Sequence, residues 1–162
     1  MSVIRTLIVD DEPLAIEGLE IRLAALGDIE VVGSCPNGRK AIAAIRKLKP
    51  DLVLLDIQMP GLSGFDVVKT LVGSNLPLVV FVTAYDEYAL KAFEAHALDY
   101  LLKPVDEGKL RRALARVRKV LHEQTAIEQN ARLVKLIEGM QDPPAALLSA
   151  MLAETAGPKP GF

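Results

Sequence analysis

Leu52-Val53-Leu54-Leu55 is a run of four apolar residues that leads straight into Asp56 and is soon followed by Pro60 and Gly61. The run is too short for a helix, and its unbroken apolarity predicts a strand buried on both faces. Strands of that kind belong to parallel sheets covered by helices, which narrows the fold to the α/β class. A carboxylate left unpaired inside such a strand costs on the order of several kcal/mol. Asp56 therefore has to emerge from the strand end into a polar crevice.

The rest of the chain repeats this grammar. Val3 to Val9 is largely β-branched and apolar and closes on Asp10-Asp11-Glu12; Pro13 then opens a helix with Ala15, Leu19, Leu23 and Leu26 at helical spacing, which Gly27 is expected to end. Ile29 to Ser34 reads as a second strand, and Asn37 precedes a helix that carries Ala41, Ile42 and Ile45 and stops before Pro50. After Leu52 to Asp56 come a helix over Gly64 to Leu71, a fourth strand over Leu78 to Thr83 and a helix over Asp86 to Ala95. A fifth strand over Asp99 to Leu102 precedes Pro104, and Asp106 can cap a last helix with Leu110, Leu114, Val117 and Leu121. Strict alternation predicts a doubly wound parallel sheet of five strands with five helices, wound right-handedly. Ligands of such sheets bind beyond the carboxyl ends of the strands, where Asp10, Asp11, Asp56, Thr83 and Lys103 all fall.

Beyond about Glu123 the pattern changes. Ile127 to Met140 can continue the last helix, Leu147 to Leu152 offers one more short apolar face, and Gly157 to Phe162 reads as linker. We expect residues 1–122 to form one domain and residues 123–162 a helical linker or tail without a core of its own.

Composition excludes several classes. At 51% apolar, 25% charged and a mean hydropathy of +0.28, the chain has the makings of a packed interior rather than a disordered one. The net charge of -2 gives no overall pull toward nucleic acid or anionic membranes. No apolar run reaches the roughly 18 residues of a membrane span, and the start carries no secretory or transit signal. Cys35 is the only cysteine and reads as a small buried hydrophobe. We expect a cytoplasmic protein.

Three carboxylates brought together at Asp10, Asp11 and Asp56 repel one another unless a cation sits among them. Mg²⁺, which prefers oxygen ligands and keeps several waters, is the natural occupant. Lys103 adds an ammonium beside Asp56, a pairing suited to phosphoryl transfer with Asp56 as the nucleophile. Thr83 fits as a hydroxyl donating to the transferred phosphoryl group, and Tyr100 as an aromatic that fills the space Thr83 vacates when it moves. The basic run Arg111, Arg112, Arg116, Arg118 and Lys119 surrounds its helix and reads as a solvated or salt-bridged face rather than a DNA contact. His96 and His122 stand alone without metal-ligand spacing.

Asp10-Asp11-Glu12-Pro13, Leu54-Leu55-Asp56-Ile57-Gln58-Met59-Pro60-Gly61 with Gly64, Thr83-Ala84 and Lys103-Pro104, in that order at strand ends, resemble the receiver domain of two-component response regulators over about residues 3 to 122. The resemblance implies a flavodoxin-like sheet of order 2-1-3-4-5. It implies Asp56 as phosphoacceptor from a sensor histidine kinase, Asp11 and Asp56 as direct Mg²⁺ ligands with the Gln58 backbone carbonyl, and Asp10 acting largely through water. Thr83, Tyr100 and Lys103 match the family's switch and counter-charge positions. Thr83 to Ala89 and Ala97 to Val105 resemble more narrowly the LytTR (LytR/AlgR) branch, transcription factors with a β-rich DNA-binding domain after a linker. The chain ends at Phe162, about where that domain would begin. The expectation is thus a receiver with its linker that self-associates as a homodimer, reaches DNA only through an output domain absent from this chain, and meets no membrane. Two alternatives stand beside it: a receiver-like dimerisation scaffold indifferent to phosphate, and a Mg²⁺-dependent aspartyl phosphatase, against which Gln58 stands where a second acid is needed.

Overall fold

The computed structural model describes residues 3–73, 76–84, 86, 91 and 97–138. Five parallel strands, β1 (Ile4–Val9), β2 (Ile29–Cys35), β3 (Leu52–Leu55), β4 (Leu78–Thr83) and β5 (Asp99–Leu102), form one sheet in the order β2-β1-β3-β4-β5. Four helices are seen among the described residues: α1 (Pro13–Ala24), α2 (Gly38–Leu48), α3 (Gly64–Leu71) and α4 (Glu107–Glu138). The helix expected over Asp86 to Ala95 lies outside the described residues apart from Asp86 and Lys91, as does the short apolar face around Leu147 to Leu152. The chain divides into a compact unit over Met1–Val117 and a second over Arg118–Phe162, in which the described residues continue α4 to Glu138.

Strand alternation sends side chains to two helical layers. Leu7, Val9, Val53, Leu55, Val79 and Phe81 share one cluster with Ala41 and Ile45 of α2 and Val67, Val68 and Leu71 of α3. Their strand neighbours Ile8, Leu54 and Val80 are equally buried on the opposite face, where α1 borders Val82 through Ala15 and Leu19. All four residues of β3 are buried, as its apolar run requires. Phe81 is fully buried and packs edge-on against Phe65, with ring centroids 5.2 Å apart at 70°.

Local chemistry sets the helix ends. Asn37 caps α2 by accepting the Lys40 N–H at 2.9 Å, and Asp106 caps α4 by accepting the Lys109 N–H at 2.9 Å. At α3, Ser63 and Asp66 form a reciprocal capping box: the Ser63 hydroxyl accepts the Asp66 N–H, and the Asp66 carboxylate accepts the Ser63 N–H. The Ser63 N–H and hydroxyl hold the Asp66 carboxyl below its usual range. One expectation is corrected. Gly27 does not end α1, which stops at Ala24; the Leu26 N–H donates to Leu23 O and the Ile29 N–H to Leu26 O, tight turns that need no left-handed glycine.

Burial decides which apolar residues matter. Phe81→Ala is expected to lower stability by about 3–5 kcal/mol, whereas Leu14→Ala, at a position 81% exposed, should stay within about 0.5 kcal/mol. Urea unfolding of both variants against the parent checks this.

Candidate functional site: a carboxylate–lysine cluster

The register of the sheet assembles the site. Val9 pairs with Leu55 across β1 and β3, so the next residue of each strand, Asp10 and Asp56, emerges at the same level. The Asp56 N–H donates to Val9 O at 2.9 Å and the Asp10 N–H to Cys35 O at 3.0 Å, extending the ladder past the strand ends. Thr83 pairs with Leu102 across β4 and β5, and the Lys103 N–H donates to Thr83 O at 2.7 Å. The sheet order reverses beside β1, and the crevice there is where such sheets bind ligands.

Lys103 reaches three carboxylates. Its ammonium lies 2.7 Å from Asp10 Oδ2, 3.4 Å from Asp56 Oδ2 and 3.5 Å from Glu12 Oε1. Asp10 and Asp56 are buried, at 1% and 4% exposure, while Asp11 and Glu12 face solvent. The other oxygen of Asp10 accepts the Glu12 N–H at 2.9 Å. Asp10 Oδ2 is buried, and the Lys103 ammonium is its close counter-charge. Burial pushes the Asp56 carboxyl up to about 6; Lys103 opposes this, and the charges of Asp10 and Asp11 add to it. For Lys103 burial acts downward, but Asp10, Asp56 and Glu12 more than reverse it and its pKa is raised.

Oxygens of Asp10, Asp11, Glu12 and Asp56 all lie within 4.8 Å of one another. This all-carboxylate set, whose charge the single Lys103 ammonium does not balance, is compatible with a hard divalent cation such as Mg²⁺. Asp10, Asp11, Asp56 and Lys103 thus come together as the sequence suggests. Thr83 is buried at the end of β4, and Gln58 is exposed two residues beyond Asp56. Tyr100 is half-buried, in register with Phe81 and packed against the core cluster on that face. Cys35 is buried, and burial raises its thiol pKa.

Three features escaped the sequence reading. Glu12 joins the cluster and shares Lys103, although its run Asp10-Asp11-Glu12 was in view. Gly64 packs so closely that an added Cβ would sit 2.4 Å from Asp56 O and 3.1 Å from Ile57 Cα, which seats the start of α3 against the Asp56 backbone. The Arg22 guanidinium donates to Val105 O and ties α1 to the turn that follows Lys103; nothing in the local pattern announces that contact.

A parallel sheet of this order with an aspartate at the end of β3 and a lysine after β5 defines a receiver. Over residues 6–115 the chain matches the response regulator receiver domain, and it belongs to that family. It is 51% identical over 136 residues to the transcriptional regulatory protein BtsR of Shigella flexneri and 50% identical over 136 residues to that of Escherichia coli K12. Each match covers 83% of this chain and 57% of the relative, so the chain spans little more than half the length of these proteins. Among solved structures, the response regulatory domain of protein mrkE from Klebsiella pneumoniae aligns with a TM-score of 0.68 at 32% identity, covering 74% of this chain and 98% of that one. The REC domain of AraT, a response regulator from Geobacillus stearothermophilus, aligns at 0.69 and 30% identity, covering 76% and 98%. The chain is a receiver domain of two-component signalling, and no helix among the described residues is long and apolar enough to cross a membrane.

A carboxyl whose folded pKa is raised holds its proton more tightly when native, so its contribution to stability declines as pH climbs from about 4 toward 6 and stays lost above that. In metal-free buffer at neutral pH, Asp56→Asn is therefore expected to be the more stable protein by on the order of 2 kcal/mol, with the difference vanishing below pH about 4. Thermal melts across pH read this. Added Mg²⁺ should raise the melting temperature of the parent and leave the variant nearly unmoved.

Proposed function

We propose that Asp56 is the phosphoacceptor of this receiver, taking a phosphoryl group from a sensor histidine kinase in the cytoplasm and passing the change to a transcriptional output. The carrying observation is the convergence of Lys103 and four carboxylate side chains on the end of β3, with Asp56 the acid that closes that strand. An Asp56 oxygen attacks phosphorus; the O–P bond forms as the P–N bond to the donor imidazole breaks, and the electron pair leaves with the imidazole. Lys103 balances negative charge on the phosphoryl oxygens. Asp11 and Asp56, with the Gln58 carbonyl and with Asp10 through water, would hold Mg²⁺, which when bound supplies neutralising charge to the phosphoryl oxygens. Thr83, at the end of β4, donates its hydroxyl to the new acyl phosphate, and Tyr100 on the neighbouring strand turns inward as Thr83 moves. The chain turns over only its own phosphate and no separate substrate.

The relatives named transcriptional regulatory proteins support a gene-regulatory output. We assign the chain to the LytTR branch on Thr83 to Ala89 and Ala97 to Val105, with residues 1–122 as receiver, residues 123–162 as linker, and DNA recognised by a separate output domain. Phosphorylation strengthens a homodimer through β5 and the adjoining part of α4. In support, β5 is an edge strand, and a groove of Asp99, Tyr100, Lys109, Arg112 and Arg116 runs along it.

Incubation with Mg²⁺ and a small acyl phosphate, followed by peptide mapping, should find an acid-labile phosphate on Asp56 and none on Asp56→Ala. Lys103→Ala should slow labelling by roughly 10²-fold. Equal labelling of Asp56→Ala, or none of the parent, rejects the reading. Sedimentation velocity should show a larger dimer fraction after phosphorylation; a monomer in both states rejects the dimer.

A further inference from the structure

Helix α2 carries Arg39, Lys40, Arg46 and Lys47, all exposed, with Lys49 at its C-cap. No acidic residue occurs from Gly38 to Lys49, in a chain whose acidic residues outnumber its basic ones by 21 to 19. At about 100° per residue, Arg39 and Arg46 form one column and Lys40 and Lys47 a second, with the exposed Ala43 between them. The two rungs stand about 10 Å apart along the helix axis. The buried face of α2, formed by Gly38, Ala41 and Ile45, is the opposite one, so the cations serve no packing role.

None of these five residues forms an ion pair among the described residues. On α4 the situation differs, since Arg111 pairs with Glu107 at 3.6 Å and Arg116 with Asp99 at 3.1 Å. The N-terminal rung of α2 also works against its own helix. Arg39 and Lys40 occupy the first turn, where the positive end of the helix dipole repels cations and no acid compensates. Lys69 of α3, also exposed, adds a further positive charge to this helical layer. Unpaired cations held in two columns, Arg39 and Lys40 against the helix dipole and Arg46 and Lys47 in the last turn that favours them, fit an anionic partner that supplies the missing charge.

We propose that the α2 face docks on the sugar–phosphate backbone of duplex DNA, adding sequence-independent contacts to those of the output domain. This rests on the transcriptional reading given above. Arginine forks and lysine ammoniums suit phosphate oxygens, and the small Ala43 lets a backbone approach between the columns. No aromatic residue lies on α2 to stack unpaired bases, which favours a duplex over a single strand. Nor does an exposed large apolar residue project from α2 to enter a lipid surface.

The test is fluorescence anisotropy of a labelled duplex of arbitrary sequence with the 162-residue chain, without phosphodonor. Affinity should fall with salt with a log–log slope of about -3 to -4, as for four phosphates. Replacing Arg39, Lys40, Arg46 and Lys47 by Gln should weaken binding at low salt by roughly tenfold or more, while Arg111→Gln with Lys119→Gln, at exposed α4 positions outside the β5 groove, leaves it unchanged. Because Gln is a good helix former, the first-turn pair Arg39→Gln and Lys40→Gln should melt no lower than the parent, which separates lost contact from lost fold. No duplex binding at low salt, equal binding by the four-Gln variant, an equal loss in the α4 variant, or binding to phosphatidylserine vesicles but not to duplex would each overturn the proposal. The assay needs no phosphorylation, so its failure leaves the role of Asp56 standing, and unlabelled Asp56 leaves this surface standing.

Discussion

The structure turns on the meeting of Lys103 with Asp10 and Asp56 at the carboxyl edge of the sheet. Two nearly inaccessible carboxylates side by side are an unfavourable arrangement, and one ammonium is too little positive charge for the cluster of four acids. Burial first, and then the charges of Asp10 and Asp11, raise the Asp56 pKa against the pull of Lys103. A site in this condition gains most from added positive charge or from a ligand whose oxygens engage the lysine. That is the electrostatic requirement of a carboxylate that accepts and loses a phosphoryl group.

The remainder of the compact unit keeps those side chains in reach of one another. The Val9–Leu55 and Thr83–Leu102 pairings set the levels at which Asp10, Asp56 and Lys103 leave their strands. Asp51 and Asp56 at the two ends of the fully buried, apolar β3 fix its register, because a shift would draw one of these charges into the strand interior. Gly64 brings the capped start of α3 against the Asp56 carbonyl, so the loop after Asp56 is anchored at both ends. The same core face that holds α2 and α3 includes Phe81, and Tyr100, its register partner on β5, packs against that cluster.

Much of this was legible from residue order. Each strand appears as a short apolar run, and each of β1, β3 and β5 is followed by its charged residue, so both the α/β class and the crevice follow from general rules of parallel sheets. The caps at Asn37 and Asp106 were legible too, because a cap is a local pairing of side chain and backbone. What stayed hidden depends on segments far apart in the chain. The hold of Glu12 on Lys103, the closeness of Gly64 to Asp56 and the bond from Arg22 to Val105 exist only after the sheet has formed. The end of α1 misled because Gly27 matched a common stop signal, whereas hydrogen bonds around Leu26 complete the turn without a left-handed residue.

The most direct measurement of the central claim is a two-dimensional amide NMR titration of the full chain with Mg²⁺. Saturable shifts confined to Asp10, Asp11, Asp56 to Met59 and the region of Thr83 and Lys103, and absent from Asp56→Asn, are the predicted result. Shifts spread over the exposed carboxylates of α1 without saturation, or an unchanged spectrum, would contradict it.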